Sequence, residues 1–539
     1  MKKILTAFIF YFLFGECFSQ AGEWVWIKGN NIPNQSGNYG VQGVPSATNN
    51  PPSLYEPCEW TDLNGNFWLF GGDNNNGDRY GDLWKYDPIS NQWTWMKGPG
   101  VINDPGNYGI QGIPSPANNP PARKFALASW VDNTGNFWMF GGYSTNGLCD
   151  LWRYNPFANE WTWMNGPNTT GQPGVYGVQG IPDPNNYPGC RWESEAAWID
   201  NSGDLWIFGG IALGVFYNDM WRYSINSNQW TWMQGSQFPT QPGTYGILGV
   251  EDSLNSPSSR QSYCHWKDIT GKLWFFGGRD LNYAVKNDLW AYNVASSKWA
   301  WMGGDSLGNA IGVYGTKCIS SPVNMPGARH ENRAAWTDQY GNFWLFGGSL
   351  DASFFGVLND LWMYCFATDQ WIWKSGDSIV NAAGNWGMIG VSSPFNKPNA
   401  RCGAVGWTDN NNNLYFFGGA ASGFNFYNDL WKYTIDTACG LCPSITSIQE
   451  NNPPKADDLL VFPNPTNSPL TISFSSSGKQ NIELRIYNTL GKQIYFAKQE
   501  IAKGKFEKDI NVEKLSEGIY FLQVKTKDGM MNKKVMVQH

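Results

Sequence analysis

Five arginines recur at matching places in the tryptophan-rich part of the chain. They are Arg123, Arg191, Arg260, Arg329 and Arg401, and we expect Ser53 to take the corresponding place nearest the N-terminus. A guanidinium group can hold a carboxylate through two parallel hydrogen bonds, so these residues are candidates for binding an acidic ligand. A repeated residue is more often structural, and the alternative is that each arginine joins neighbouring loops by donating to backbone carbonyls. The sequence leaves both interpretations open.

Polar residues that occur in one copy of the repeat but not in the others form a second group of candidates. They are Glu193, Glu195, His330, Glu331 and Arg333. At the same places other copies read ALA or AVG. Residues that depart from a repeat are better functional candidates than the residues that the repeat preserves, so we predict a role in binding for these side chains. The alternative is that they are solvated residues that line a channel.

Metal and cofactor chemistry has little support in the sequence. The chain has three histidines, His265, His330 and His539, and strand histidines in such small numbers are usually structural or solvated. The phrase DNNNGD at Asp73 is similar to a calcium loop, but Gly77 occupies the third ligand position, so a polar turn is the better interpretation. No metal, cofactor or catalytic residue is therefore predicted.

The cysteines indicate an oxidising compartment. Ten are present, and nine remain if a leader is removed, so at least one lacks a partner within the chain. Cys439 and Cys442 have the CxxC spacing, which on its own favours a disulfide that pins the end of the last repeat over redox or metal work. Cys58 and Cys264 each precede a repeated tryptophan by two residues and fit buried thiols.

The N-terminus predicts export. Lys2 and Lys3 precede an apolar run over residues 4–14, and Ser19 offers a small residue before a cut, which is the pattern of a signal peptide over residues 1–19. The run is shorter than the roughly 20 apolar residues that cross a bilayer, and no later segment is long enough, so no membrane span is predicted. A net charge of −7 gives no basic surface for nucleic acid.

Composition divides the chain near residue 458. Residues 458–539 contain 12 Lys and Arg against 8 Asp and Glu and no Trp, whereas the preceding part contains 25 against 36 and all 31 Trp. Between them the stretch GLCPSITSIQENNPPKAD is rich in Pro and Ser and lacks an apolar period. We predict three parts after the signal peptide: a repeat domain over 20–439, a linker over 440–457 and a second domain over 458–539.

Six copies of one unit fill the larger part. The phrase FGG begins at Phe70, Phe140, Phe208, Phe276, Phe346 and Phe417. A DLWKY-like phrase follows each copy and a Trp-x-Asp phrase precedes it, so each unit predicts four short antiparallel strands with tight turns. In NFWLFGG both alternating faces are apolar, so each sheet must be covered on both sides. Sheets stacked around an axis satisfy this, and the predicted fold is an all-β, six-bladed β-propeller, with a solenoid as the alternative.

The strand count contains one irregularity. The outer Trp-x-Trp strand also occurs at Trp24, ahead of any other phrase, and it is missing after the last DLWKY at Asp429. Pairing residues 23–28 with 429–433 would close the ring and remove two unpaired strand edges. We therefore predict that the N-terminal strand completes the sixth blade.

The ordered phrases resemble the kelch repeat. The order is an arginine, then FGG, an aromatic in DLWKY and Trp in QWTWM, over about residues 22–434. The unit is similar to long bacterial kelch repeats related in fold to the central domain of galactose oxidase. That resemblance implies a propeller that could be an enzyme or a binding scaffold. The copper ligands of galactose oxidase have no counterparts at matching positions, so no cofactor is implied.

The C-terminal part has its own resemblance. PNP at Pro463, NTLGK ending at Lys492, GIYFLQV at Gly518 and the final KKVMV are similar to the sorting domain of the type IX secretion system. The resemblance implies a small β-sandwich, the type IX secretion machinery as a partner, and a protein that is secreted or attached to the outer-membrane surface.

Two functions remain open from the sequence. The preferred one is a binding scaffold for a glycan, polymer or protein on the face with the long loops, where refrain aromatics could stack on sugars. These aromatics are Tyr39, Tyr108, Tyr176, Tyr245, Tyr314 and Trp386. The alternative is a carbohydrate-active enzyme, of the oxidase, lyase or epimerase type, with its site at the axial mouth of the propeller.

Overall fold

The computed structural model describes two parts of the chain. They are residues 21–440 other than 126, 195, 281, 283 and 352–354, and residues 442 and 459–538 other than 465, 477, 489–492 and 528. The chain divides into the compact units Met1–Ser444 and Ile445–His539. Across the described residues no helix is long and apolar enough to cross a membrane. The predicted signal peptide, Glu195 and most of the predicted linker lie outside the described residues, and the domain limits stay predictions.

The first unit is built from short strands. In chain order they are β1 (Trp24–Lys28), β2 (Cys58–Thr61), β3 (Phe67–Phe70), β4 (Leu83–Asp87), β5 (Gln92–Lys97), β6 (Ala128–Val131), β7 (Phe137–Phe140), β8 (Leu151–Asn155), β9 (Glu160–Asn165), β10 (Arg191–Trp192), β11 (Ala197–Ile199), β12 (Leu205–Ala212), β13 (Val215–Ser224), β14 (Gln229–Gln234), β15 (Cys264–Lys267), β16 (Leu273–Phe276), β17 (Leu289–Asn293), β18 (Lys298–Gly303), β19 (Ala335–Thr337), β20 (Phe343–Phe346), β21 (Leu361–Cys365), β22 (Gln370–Ser375), β23 (Val405–Thr408), β24 (Leu414–Phe417), β25 (Ala420–Ala421), β26 (Asn425–Phe426) and β27 (Leu430–Tyr433).

These strands form antiparallel sheets of the predicted meander type. The sheet β2-β3-β4-β5, which we call blade 1, is followed by blades 2 to 5 with the same order, and blade 3 carries the extra strand β10. Blade 6 has the order β1-β27-β24-β23. The first strands of neighbouring blades contact one another from β2 through β6, β11, β15, β19 and β23 back to β2, so the sheets surround an axis as a β-propeller.

The N-terminal strand closes the ring as predicted. Strand β1 pairs with β27 in antiparallel register, with Trp24 opposite Tyr433 and Trp26 opposite Trp431. The Trp24 side chain is 1% exposed and lies 5.5 Å from the ring centroids of Phe346 and Phe416. The prediction that residues 23–28 supply the missing outer strand is therefore confirmed.

Apolar faces on both sides of each sheet hold the blades together. In β3 every side chain from Phe67 to Phe70 is buried. Trp68 and Phe70 pack with Phe137 and Trp152 of blade 2, whereas Phe67 faces blade 6 and stacks on Trp407. Alternate residues of one strand thus contact opposite neighbours, which is why the sequence shows no polar face.

The repeated long loops, which we call refrains, cover the outer edges of the blades. Gly43 donates its backbone N–H to the carbonyl of Trp95 at 2.8 Å, and Ser46 forms a backbone bridge with Trp93 in the same outer strand. The next refrain repeats the contact from Gly112 to Trp163 at 2.8 Å. The refrains therefore occupy backbone groups that an outermost strand would leave unpaired.

Refrain tyrosines point into the blades. The hydroxyl groups of Tyr39, Tyr108, Tyr176, Tyr245 and Tyr314 each donate to a buried aspartate at 2.7 Å. Tyr39 also packs against Trp84 and Trp95, at centroid distances of 4.9 and 5.1 Å. Trp386, the sixth member, lies 5.1 Å from Trp431. The interpretation that these rings stack on sugars is wrong, because the five tyrosine hydroxyl groups are already hydrogen-bonded and all six rings pack against tryptophans of the blades.

Three disulfides fasten the first unit. They are Cys149–Cys190, Cys318–Cys439 and Cys365–Cys442. Both cysteines of the CxxC pair are thus oxidised as predicted, but each is bonded to a cysteine of blade 5 or its refrain. The described cysteines outside these disulfides, Cys58, Cys264 and Cys402, are buried, which confirms the interpretation of the first two as buried thiols.

The second unit consists of seven strands among its described residues. They are β28 (Leu460–Phe462), β29 (Leu470–Ser476), β30 (Gln480–Asn488), β31 (Gln493–Ile501), β32 (Gly504–Ile510), β33 (Gly518–Thr526) and β34 (Gly529–Val537). They form one sheet in the order β28-β29-β32 and another in the order β31-β30-β33-β34. Residues of both sheets, including Phe474, Leu484 and Leu522, share one apolar core, so the unit is the predicted β-sandwich.

Candidate functional site at the axial mouth

The five repeated arginines are buried ion-pair partners. The pairs are Arg123–Asp150, Arg191–Asp219, Arg260–Asp288, Arg329–Asp360 and Arg401–Asp429, and no side chain in them is more than 1% exposed. Arg123 donates through both terminal nitrogens to Asp150 at 2.8 Å, and also to the carbonyls of Gly141 and Pro121. This geometry favours the structural alternative, because the guanidinium groups are occupied by the protein itself.

Each of these aspartates collects further donors. Asp288, for example, accepts hydrogen bonds from the Tyr245 hydroxyl and from the Trp290 indole N–H, at 2.7 and 2.8 Å. Burial alone would raise the pKa of Asp288, but Arg260 and these hydrogen bonds outweigh burial and hold the pKa below its usual value. We call an Arg–Asp pair with its additional donors a clamp.

Blade 1 has no clamp arginine. Leu54 takes the place, because Gly419 donates to the Leu54 carbonyl at 2.9 Å as Gly72 does to that of Arg123 at 3.0 Å. The expected counterpart, Ser53, lies one residue earlier. Asp82 accepts hydrogen bonds from the Tyr39 hydroxyl and the Gly100 N–H but has no arginine partner among the described residues, and burial raises its pKa to about 6.

Two residues beyond each arginine position, the chain forms a narrow ring around the axis, which we call the mouth ring. Its members all have positive φ, and they are Glu56 (49°), Phe125 (61°), Glu193 (56°), Ser262 (57°), Glu331 (53°) and Gly403 (63°). Neighbouring blades are linked here by backbone hydrogen bonds, such as Glu331 to Ser262 at 3.0 Å and Gly403 to Glu331 at 2.8 Å. The ring thus repeats its backbone but not its side chains.

A second set of backbone contacts surrounds the ring, and we call its members the mouth pairs. Each blade joins the residue before its ring residue to the residue after FGG, and the pairs are Tyr55–Asp73, Lys124–Tyr143, Trp192–Ile211, Gln261–Arg279, His330–Ser349 and Cys402–Ala420. Lys124 and Tyr143, for example, exchange backbone hydrogen bonds of 2.8 and 3.0 Å. Here too the backbone repeats, while acidic, basic, aromatic and small side chains occupy equivalent places.

Three carboxyl groups meet in the mouth ring. Oxygens of Glu56, Glu193 and Glu331 lie within 4.8 Å of one another, and all three residues are buried. Carboxylate oxygens at this spacing are the donors that hard divalent cations prefer, so these residues could hold one. Sequence reasoning missed Glu56, because blade 1 lacks the arginine that marks the position in the other blades.

Ser262 connects two of these carboxyl groups. Its hydroxyl oxygen lies 2.7 Å from Glu193 Oε2 and 3.1 Å from Glu331 Oε1. One hydroxyl proton cannot serve two carboxylates, so one carboxyl group must donate to Ser262. Burial, and then the charge of Glu331, raise the pKa of Glu193 well above its usual value. Glu193 is therefore the protonated partner.

Glu331 carries the negative charge of this pair. Its second oxygen, Oε2, accepts a hydrogen bond from the Tyr55 hydroxyl at 2.8 Å, and His330 Nδ1 lies 3.2 Å from Oε1. Burial would raise the pKa of Glu331, but hydrogen bonds from Glu56, His330 and Tyr55 outweigh it and lower the pKa. The structure thus brings the predicted residues Glu193, His330 and Glu331 together.

Arg333 lines an axial cavity of about 140 Å³, and its charge acts on Glu193 by lowering the pKa that burial raises. It donates to Glu59 Oε2 at 2.6 Å, and His265 also lines the cavity. Burial, followed by the charge of Arg333, lowers the pKa of His265 to about 3, so this histidine is neutral at physiological pH.

Comparison with known proteins gives a family match for each of the two units. Residues 460–538 match the family model of the secretion system C-terminal sorting domain, and residues 110–303 match that of the KLHDC2/KLHL20/DRC7 Kelch-repeats domain. A sorting domain of this kind implies export to the cell surface or the extracellular space by the type IX machinery.

Similar proteins include N-acetylneuraminate epimerase of Salmonella enteritidis PT4, which is 21% identical over 277 residues, covering 45% of this chain and 64% of the epimerase. Tip elongation aberrant protein 1 of Schizosaccharomyces pombe is 28% identical over 30% of this chain and 16% of its own length. Multiple epidermal growth factor-like domains protein 8 of Rattus norvegicus is 24% identical over 43% of this chain and 7% of its own length. The chain spans less than two-thirds of each relative. With the repeated sheets, the clamps and the C-terminal sandwich in place, the chain is a kelch-repeat β-propeller protein that carries a C-terminal type IX secretion sorting domain.

Proposed function

We propose that the protein is an extracellular binding scaffold that holds a glycan, polymer or protein at its axial mouth. The observation that carries the proposal is the contrast within the mouth itself. The mouth pairs repeat the same backbone contacts, yet their side chains differ from blade to blade. The members that are partly exposed are Lys124, Tyr143, Trp192 and Arg279, and they differ in charge and size. A rigid, repeated backbone that presents such unlike side chains can support a specific binding surface.

Other parts of the propeller have structural uses that compete with ligand binding. The clamp arginines donate to aspartates and carbonyls of their own blades. The refrains donate to the outer strands and direct their tyrosines inward. The sequence predicted a binding site anywhere on the face with the long loops. On that face, the residues around the mouth are the part that we propose for binding.

A binding screen with matched variants tests the proposal. The protein without residues 1–19 is applied to arrays of glycans, cell-surface polymers and extracellular proteins. Lys124→Ala combined with Arg279→Ala changes two mouth pairs, and Ile89→Ala changes a turn residue that is 95% exposed on the opposite face. We expect the double variant to weaken binding and the control to leave it intact. Equal binding by all three proteins would contradict a site at the mouth.

A carbohydrate-active enzyme is the second candidate. It is favoured by the pair Glu193 and Glu331, whose pKa values are shifted in opposite directions, because such a pair can serve as acid and base. The similarity to N-acetylneuraminate epimerases is compatible with it. Incubation with a sugar panel that includes N-acetylneuraminate anomers, followed by NMR, tests this function. Turnover that is lost in Glu193→Gln and Glu331→Gln would support the enzyme over the scaffold.

A further inference from the structure

We propose that an uncharged carbohydrate chain binds along an aromatic strip formed by Phe125, Tyr143 and Trp192. This inference rests on the binding function proposed above and names the class of ligand. Phe125 belongs to the mouth ring, Tyr143 to a mouth pair of blade 2, and Trp192 to strand β10 of blade 3. The strip therefore links the axis with the loops of two neighbouring blades.

The three rings form a continuous series. The centroids of Phe125 and Tyr143 are 5.7 Å apart with planes at 50°, and those of Tyr143 and Trp192 are 5.1 Å apart at 73°. All three side chains are partly exposed. Aromatic rings at a solvent boundary offer apolar faces to the C–H groups of a sugar while their polar edges remain available.

The polar groups of the strip are uncommitted. The Tyr143 hydroxyl and the Trp192 indole N–H donate to no group in the described part of the chain. The refrain tyrosines differ in this respect, since each of their hydroxyl groups donates to an aspartate. Free donors beside apolar rings match the hydroxyl oxygens of a sugar, which can accept their hydrogen bonds.

Charge favours a neutral chain over an acidic one. Lys124 Nζ lies 4.3 Å from the centroid of Phe125 and forms an ion pair of 3.2 Å with Asp73. Burial raises the pKa of Asp73 to about 7, so the two charges offset each other fully above that pH. The next residues of the mouth ring on both sides of Phe125 are glutamates, Glu56 and Glu193. The carboxyl cluster that Glu56 and Glu193 form with Glu331 carries the charge of Glu331, so an anionic polysaccharide would approach negative charge while Lys124, the cation of the strip, is already ion-paired.

Local covalent structure holds the strip in place. The disulfide Cys149–Cys190 ties the loop that carries Tyr143 to the segment that leads into Trp192. A Cβ atom at Gly147 would lie 2.9 Å from the indole of Trp192, so the ring has little room to move on that side. Aromatic side chains that are already ordered lose little conformational entropy when a ligand binds.

Titration with defined polysaccharides tests the strip. The probes are amylose, β-1,3-glucan, xylan and mannan, with polygalacturonate as the acidic probe and a proline-rich peptide as the protein-like probe. Trp192→Ala should weaken binding of the preferred neutral chain by about tenfold or more, as expected for an aromatic anchor. Tyr143→Phe, which removes only the hydroxyl group, should cost about threefold. Phe157→Ala serves as the control, since that ring is 80% exposed on the opposite face.

The outcomes separate this inference from the function on which it rests. Neutral-chain binding that is lost in Trp192→Ala but kept in Phe157→Ala, with unchanged melting temperatures, supports the strip. A neutral chain that binds all variants equally would overturn the strip while the scaffold function stands. Strip-dependent binding of the peptide or of polygalacturonate alone would overturn the ligand class. Failure to bind any ligand in these probes and in the wider arrays would contradict both proposals.

Discussion

The clamps and the mouth occupy neighbouring positions of the same chain segments, yet they use repetition in opposite ways. Arg260 and Asp288 repeat in identity and geometry in five blades. Ser262 lies two residues after Arg260 in the mouth ring. In the other blades a glutamate, a phenylalanine or a glycine takes its place, although the backbone φ angles of all six residues are similar. Repeated side chains therefore serve the fold here, and unrepeated side chains on a repeated backbone are the better guide to function.

The largest expected effect comes from opening the ring. Deletion of residues 21–28 removes β1, which exposes the edge of β27 and the pocket filled by Trp24. Loss of the Trp24 side chain alone should cost about 3–5 kcal/mol, and the strand pairing adds to it. We expect the melting temperature of the propeller to fall further than in Trp24→Ala, as measured by calorimetry. An unchanged melting temperature would contradict closure by β1.

The second-largest effect is expected from breaking one clamp, which tests whether the repeated side chains stabilise the fold. Arg260→Ala leaves Asp288 buried without its cation, and the expected loss of stability is about 3–5 kcal/mol. Denaturant unfolding measures this loss. The matched control is Lys298→Ala in the same blade, a residue outside the clamps. A loss below that of the control would show that the clamps are not what secures the blades.

Much of the fold could be predicted from the sequence, but less of the candidate site. The FGG and DLWKY phrases predicted the strands, and the unmatched phrase at Trp24 predicted the closing strand, because strand periodicity is a local property. The pairing of Arg260 with Asp288 was not predicted, since the two residues are 28 positions apart and meet only in the folded blade. Glu56 was missed because its blade lacks the marker arginine. The contact of Tyr143 with Trp192 depends on a loop conformation between two blades.

Blade 1 and blade 4 should respond to pH in opposite directions. The pKa of Asp82 is about 6 in the folded protein against an ordinary value of 3.8, so the folded state retains a proton that the unfolded state loses. This contribution is present below pH 3.8 and is lost as the pH rises to 6, with a magnitude of about 3 kcal/mol. Asp82→Asn should flatten the melting temperature between pH 4 and 6.5 relative to the unmodified protein.

Asp288 provides the contrast. Its pKa is lowered in the folded state, so its contribution is present above pH 3.8 and is lost as the pH falls through the folded value. Asp288→Asn should therefore remove stability at neutral pH, whereas Asp82→Asn should not. Parallel pH profiles for the two variants would contradict the difference between a blade with and a blade without a clamp.

The smallest effect is expected for the protonated member of the mouth ring. Glu193→Gln replaces a neutral carboxyl group by a neutral amide, and we expect less than about 1 kcal/mol of lost stability at pH 7. Glu331→Gln removes a charge that accepts hydrogen bonds from Ser262 and Tyr55, so about 1.5–3 kcal/mol is expected. Urea unfolding of both variants checks the order. The reverse order would place the proton on Glu331 instead.

The most direct test of the central claim compares one mouth variant with one clamp variant by two readouts. Melting temperature and polysaccharide binding are measured for Trp192→Ala and for Arg260→Ala. The account predicts that Trp192→Ala loses binding and keeps its melting temperature within a few degrees, whereas Arg260→Ala melts at a markedly lower temperature and still binds when folded. Stability lost at the mouth together with binding lost at the clamp would contradict the account.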